Sequence, residues 1–242
     1  MLDTKTILGV KISDANESDI LEYLLLNIKK PNFKCKIFTP NPEILVYAHE
    51  HQEFKKILNH ADINLNDGVG LLYAGMILGK PLKQRITGVD FVKSLCNAVA
   101  EKPITVGFLG GRGNVAELTA KRLKGMYPSL KIVFSSGDNP DHTSVLKLSE
   151  NNKKIDILFV AYGFPKQEEW ISNHINEIPV KIGISVGGSF DYYSGTIKRA
   201  PFFIRFFGFE WLFRLIKEPW RIKRQLALLK FIVLVLKERF AH

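Results

Sequence analysis

The sequence predicts an α/β fold, with a Rossmann-like, mostly parallel sheet carrying helices on both faces and a helical C-terminal appendage. Two observations carry this expectation. Short apolar runs alternate with helix-like patterns from residue 17 to about residue 188, the order that lays parallel strands against crossover helices. Those runs are apolar almost throughout, without the polar alternation of a half-exposed strand, as a sheet covered on both faces requires. The expected organisation is an α/β domain over residues 1–195 and a basic, aromatic appendage over 196–242.

Taken in order, ESDILEYLLLNIK at 17–29 reads as a helix and CKIFT at 35–39 as a strand. Pro42 suits the first turn of the next helix, where its missing N–H costs nothing. INLN at 63–66 reads as a strand, followed by helices near 69–78 and 89–101. ITVGFLG at 104–110 and LKIVFSS at 130–136 read as strands flanking a helix at about 114–126. IDILFVAYG at 155–163 and VKIGISVGG at 180–188 complete the set, with a helix near 165–175 between them.

The net charge of +10 is informative once located. Residues 196–242 hold eleven Lys or Arg against three acids, a surplus of eight, so the preceding 195 residues carry only two. Such asymmetry predicts an anionic partner at one end. The two cysteines, Cys35 and Cys96, lie far apart in mixed or apolar segments. They read as reduced packing residues of a cytoplasmic protein. The N-terminus lacks the basic and apolar regions of a secretory signal.

Parallel sheets bind ligands beyond the carboxyl ends of their strands, so the turns there are the candidates. Gly110-Gly111-Arg112-Gly113-Asn114 follows a strand and opens a helix; from Gly111 it fits G-x-G-x-x-G/A, a spacing that brings a diphosphate close to backbone and helix dipole. The same spacing also fits a plain tight turn. Asp67, in Asn-Asp-Gly, is either a helix cap or a general base for an acceptor hydroxyl. In Thr39-Pro40-Asn41-Pro42 two prolines stiffen the turn and present the Thr39 hydroxyl and the Asn41 amide in fixed directions. Arg85 lies outside the basic tail and offers a fork of donors for phosphate or carboxylate. Gln167 belongs to a first helical turn after GFP, and Gly188 and Asp191 follow the last strand, where Asp191 can accept from sugar or base groups. Each turn alone is weak, but six at one rim point to a site.

Absences narrow the chemistry. There is no D-x-D pair to hold a metal on a sugar nucleotide, no histidine ligand spacing, no G-x-S-x-G and no Walker lysine motif. A nicotinamide-dependent oxidoreductase stays open, since Asp138 follows the strand after GRGNVA about where a ribose-binding acid would stand. So does a non-catalytic membrane-binding adaptor.

Taken together, TPNPE, NDGVG, RITGVDFV, FLGGRGNVAE, GFPKQEEW, SVGGSFD, GTIKRAP and GFEWLFRLIKEPWR resemble the WecG/TagA/CpsF family of glycosyltransferases over about residues 35–224. The resemblance implies inverting, metal-independent transfer from a UDP-sugar to a sugar–diphosphate–polyprenol, without a cofactor, at the inner membrane face. It carries the catalytic base onto Asp67, a polar pair onto Thr39 and Asn41, and the family's Arg and Gln onto Arg85 and Gln167. Its products belong to cell-surface polysaccharide or teichoic acid synthesis.

The tail needs its own reading. Leu212, Leu215, Pro219, Ile222, Leu226, Leu229, Val233, Leu236 and Phe240 recur at spacings of three and four, and Arg214, Lys217, Arg221 and Arg224 lie about 200° around the helix. Pro219 is expected to bend or break it. LALLKFIVLVL is too short for a span, which takes roughly 20 residues, and so dense an apolar content argues against nucleic acid. An interfacial helix on an anionic membrane accounts for both faces. Packing on the protein's own core or in a homo-oligomer is the alternative. Arg214, Arg221 and Arg224 are the candidate contacts to the acceptor diphosphate or to lipid.

Overall fold

A computed structural model of the protein describes residues 2–137, 139, 145, 148, 154–201, 203–204, 210–217 and 222–241. The chain opens with a hairpin of β1 (Thr4–Ile7) and β2 (Val10–Ser13), followed by α1 (Glu17–Asn27) and β3 (Cys35–Phe38). Next come α2 (Pro42–Glu50), α3 (Gln52–Asn59), β4 (Ile63–Asn64), α4 (Val69–Ile77) and α5 (Gly88–Val99). β5 (Thr105–Gly110), α6 (Val115–Met126), β6 (Lys131–Ser136), β7 (Ile155–Ala161), α7 (Lys166–His174) and β8 (Val180–Ser185) form the second half. The described part ends with α8 (Ser189–Ser194), α9 (Glu210–Lys217) and α10 (Ile222–Phe240).

Six parallel strands form the main sheet in the order β4-β3-β8-β7-β5-β6. α6 leads from β5 outward to β6, whereas α7 leads from β7 inward to β8. Adjacent strands thus send their connections in opposite directions, which opens a crevice at their carboxyl ends.

Continuous apolar strands serve two cores. In β7, Ile157, Phe159 and Ala161 feed one face, where Leu24, Phe91, Leu95 and Leu123 pack. Leu158 and Val160 feed the other, against Leu45, Leu58, Leu71 and Ile171. This is the covered parallel sheet that the sequence predicts. Cys35 and Cys96 are buried, free thiols within the first core.

The N-terminal hairpin is absent from the sequence reading. Its turn has Leu8 at φ 49° and Gly9 at φ 76°, the paired positive φ values that match strand twist in a two-residue hairpin. The strand expected over 63–66 is shorter, at Ile63–Asn64. Asn64 Nδ2 donates to the carbonyls of Lys11 at 2.9 Å and Leu58 at 2.7 Å, tying this edge to β2 and α3.

α10 packs on α2 and α4, and the face it buries is not the long stripe. Phe231 and Val235 are 4% and 1% exposed, whereas Leu226 and Leu229 are each 64% exposed and Phe240 84%. Glu238 anchors the far end: its Oε2 accepts from Leu8 N at 2.9 Å and its Oε1 lies 3.5 Å from Lys80 Nζ. Lys230 pairs with Glu50 of α2. Among the described residues, no helix is long and apolar enough to cross a membrane. Asp138, Pro219 and Arg221 lie outside the described residues, as do the side chains of Arg214, Lys217 and Arg224.

The two faces of α10 therefore differ in their tolerance. Phe231→Ala should lower the free energy of chemical unfolding by about 3–5 kcal/mol, and Leu229→Ser should change it by no more than about 0.5 kcal/mol.

Candidate active site

One cleft of about 1430 Å³ opens at the carboxyl rim of the sheet. Thr39, Asn41, Asp67, Arg85, Gly111, Arg112, Gln167, Gly188 and Asp191 all line it. Nine of the sequence-derived candidates thus meet in one place. Gly110, Gly113 and Asn114 are not among the lining residues. A side chain at Gly110 would stand 2.8 Å from Tyr162 and 3.0 Å from the Ala161 backbone at a φ of 97°, so close packing against β7 accounts for that glycine.

Asp67 lines the cleft just beyond β4 and is half-buried. Its N–H donates to the carbonyls of Pro40 at 3.1 Å and Leu65 at 2.9 Å, which locks the turn. Its Oδ2 accepts from Gly88 N, the first amide of α5, at 3.3 Å. Burial pushes its pKa up to about 7; the Gly88 amide and Arg85 oppose that rise, and Glu210 and Asp90 add to it. A carboxylate poised near neutrality is suited to general base catalysis.

The neighbouring candidates are held by backbone. Thr39 Oγ1 donates to Ser185 O at 3.1 Å, joining β3 to β8. Asn41 caps α2, its Oδ1 accepting from Ile44 N at 3.0 Å. Asn41 is thus a cap residue that also lines the cleft.

Gln167 is buried, and its carbonyl accepts from Gly163 N at 3.2 Å and Gly187 N at 3.0 Å. It therefore bridges the loops after β7 and β8. Its Nε2 donates to Glu168 Oε1 at 2.8 Å. Glu168 is 1% exposed, and burial pushes its pKa up to about 7, against the opposing hydrogen bonds of Gln167 and Ser185. Sequence reading passed over this acid, because an acid in a first helical turn is ordinary. Lys166, which the sequence places with Gln167 in a first helical turn close to the strand mouth, also lines the cleft, as do Glu210 and Trp211. Lys166, at the start of α7, and Arg112, just before α6, bring cations to the cleft. Among the described residues, no three His, Cys, Asp or Glu side chains gather where a metal ion would be held.

The model of the glycosyl transferase WecG/TagA/CpsF family matches residues 5–242. The chain belongs to this family. A Bacillus subtilis (strain 168) protein named N-acetylglucosaminyldiphosphoundecaprenol N-acetyl-beta-D-mannosaminyltransferase is 33% identical, with 98% of this chain and 93% of that protein covered. The protein of the same name in Bacillus spizizenii is 35% identical over 99% and 93%. Its namesake in Staphylococcus aureus (strain MRSA252) is 34% identical over 84% and 80%. The protein is therefore a glycosyltransferase, and the nicotinamide and adaptor alternatives give way to that reading.

Asp67 and Glu168 give the transferase a distinctive pH signature. Both have folded pKa values raised from the ordinary carboxyl range to about 7, so the folded state binds more protons than the unfolded chain between roughly pH 4 and 7. Their contribution to stability is full below about pH 4 and is lost as pH rises through 7. Thermal unfolding of Glu168→Gln should consequently fall less steeply between pH 5 and 8 than that of the parent protein. Parallel curves would count against a neutral Glu168.

Proposed function

We propose that the transferase moves an N-acetylmannosamine-type sugar from its UDP donor to N-acetylglucosamine on a polyprenyl diphosphate. The reaction would be inverting and would use no protein-held metal ion. The relatives' names supply the substrate class. The observation that carries the mechanism is the half-buried carboxyl of Asp67 in the cleft that Arg85 also lines.

In this reading Asp67 takes the proton of the acceptor hydroxyl as its oxygen attacks the anomeric carbon. The bond from that carbon to the UDP oxygen breaks, and UDP departs with the electron pair. Arg85 compensates the charge that develops on the leaving diphosphate, a kind of stabilisation whose loss costs on the order of 2.7–4 kcal/mol of barrier. Gly111, Arg112 and the amino end of α6 hold the donor diphosphate, and Asp191 and Gly188 border the sugar or base. Thr39, Asn41 and Gln167 keep the rim loops in register. Asp67→Asn should fold and bind UDP, yet transfer sugar about 10²- to 10⁴-fold more slowly, measured with UDP-sugar and a synthetic lipid-diphosphate acceptor. Near-normal turnover by that variant would remove Asp67 from the role.

Residues 196–242 are proposed as an appendage that docks the 1–195 catalytic domain on the anionic inner face of the cell membrane. Support comes from the surplus of eight positive charges and from the open face of α10. Apolar side chains on one side and cations nearby suit insertion at the headgroup boundary, and Arg214, Arg221 and Arg224 are the proposed contacts to lipid or acceptor diphosphate. Replacing Leu226, Leu229 and Val233 together by Ser should abolish co-sedimentation with phosphatidylglycerol vesicles and leave the unfolding temperature nearly unchanged. Retained vesicle binding with a lost self-association in ultracentrifugation would assign this face to a second copy instead.

A further inference from the structure

The motif GTIKRAP, just after α8, has no task in the chemistry above. Its Arg199 is the hub of a charged cluster. Nη1 and Nη2 donate to Asp90 Oδ1 and Oδ2, each at 2.7 Å, and Nε donates to Glu210 Oε1 at 3.4 Å. Two parallel bonds from one guanidinium fix direction as well as distance. Burial works against the charge on Arg199, but Asp90 and Glu210 outweigh it and raise its proton affinity. It stays a cation.

The cluster leads to Asp67 by consecutive contacts. Asp90 Oδ2 accepts from Thr87 Oγ1 at 2.7 Å, and Asp90 N donates back to that oxygen at 3.2 Å. Thr87 is the cap of α5, and the next amide, Gly88 N, holds Asp67 Oδ2. Tyr193 OH secures the same turn from α8, donating to Val89 O at 2.6 Å. From the other side, Glu210 lines the cleft with Asp67. One side chain therefore grips both the turn that holds Asp67 and the helix that brings Glu210 to the same cleft.

We propose that Arg199 is a positioning residue for Asp67, acting by joining Asp90 of α5 to Glu210 of α9. The proposal rests on the reading of Asp67 as the base. The charged groups acting on Asp67 are Arg85 before α5, Asp90 on α5 and Glu210 on α9, with Arg199 shared between the two acids. Removing the guanidinium leaves both acids uncompensated, which favours the protonated form of Asp67. Removing the Glu210 charge has the opposite effect. A side chain that merely held the fold would move neither.

The test uses the full chain, a UDP-sugar donor and a lipid-diphosphate acceptor, and follows kcat/KM against pH. The parent enzyme should gain activity through pH about 7 as Asp67 ionises. Arg199→Ala should move that limb up by roughly one pH unit and lower kcat on the order of 10- to 100-fold, with the donor KM little changed. Glu210→Gln should move the limb down. Arg199→Lys, which keeps the charge and loses the fork, should fall between parent and Arg199→Ala. If Arg199→Ala fails to fold, Arg199→Lys and Glu210→Gln carry the comparison. Limbs that stay put, or shift the same way in all variants, overturn the proposal. Asp67→Asn in the same assay separates the two ideas: an active Asp67→Asn defeats the base assignment itself, whereas an inactive one beside unshifted Arg199 and Glu210 variants defeats only the latch.

Discussion

Parallel pairing is the constraint from which the remaining features descend. Because β4, β3, β8, β7, β5 and β6 all run one way, every turn at one rim follows a strand and most precede a helix. Backbone amides of helix amino ends therefore converge there, while the opposite rim receives only returning chains. The cleft is a consequence of this arrangement, and its charge pattern follows from which side chains the turns carry. A carboxyl at such a rim is partly screened from water, and Asp67 shows the effect in a pKa pushed up to about 7.

A rim of loops is mobile unless something links them, because loops have few buried contacts of their own. Here the links are polar and local. Thr39 ties β3 to the backbone of β8, Gln167 ties the loops after β7 and β8, and the Asn66 side chain donates to Gln84 O at 3.0 Å. Glu168 orients Gln167 by accepting from its amide nitrogen, which leaves the carbonyl to face two amides. Reversing that amide would set two donors against Gly163 N and Gly187 N, so the buried acid selects one rotamer of its neighbour. Preorganisation at the cleft therefore begins one layer beneath it.

The fold was legible where burial is two-sided. β5, β7 and β8 are read correctly because an unbroken apolar run has few other uses in an α/β chain. The hairpin was not legible, since Leu8-Gly9 lacks the Asn-Gly or Asp-Gly signal of its turn type. α3 escaped because QEFKKILN buries only Phe54 and Leu58. At the site, the rim turns announced Asp67, Arg85 and Gly111 through glycine, proline and amide chemistry. Glu168 and Arg199 were hidden for a different reason: a buried acid in a first helical turn and a paired Arg in a basic tail look like surface residues until their partners are located. Partners distant in sequence, such as Asp90 and Arg199, leave no local trace.

α10 shows the same limit from the apolar side. Its sequence is hydrophobic on more than one face, so helical spacing identifies stripes without ranking them. The long stripe through Leu226, Leu229 and Val233 has the more regular spacing, yet Phe231 and Val235 are the side chains that enter the core. The choice is made by the ends of the helix. Glu238 must meet Leu8 and Lys80, and Lys230 must meet Glu50; positions 230 and 238 lie close to the Phe231–Val235 side, about 100° and 60° around an ideal helix from Phe231 and Val235, respectively. Once those polar contacts fix the rotation, Phe231 and Val235 fill the space between α2 and α4, and the stripe has nowhere to point but outward. An apolar face left open by such a geometric necessity is what a second surface, lipid or protein, can use without disturbing the fold.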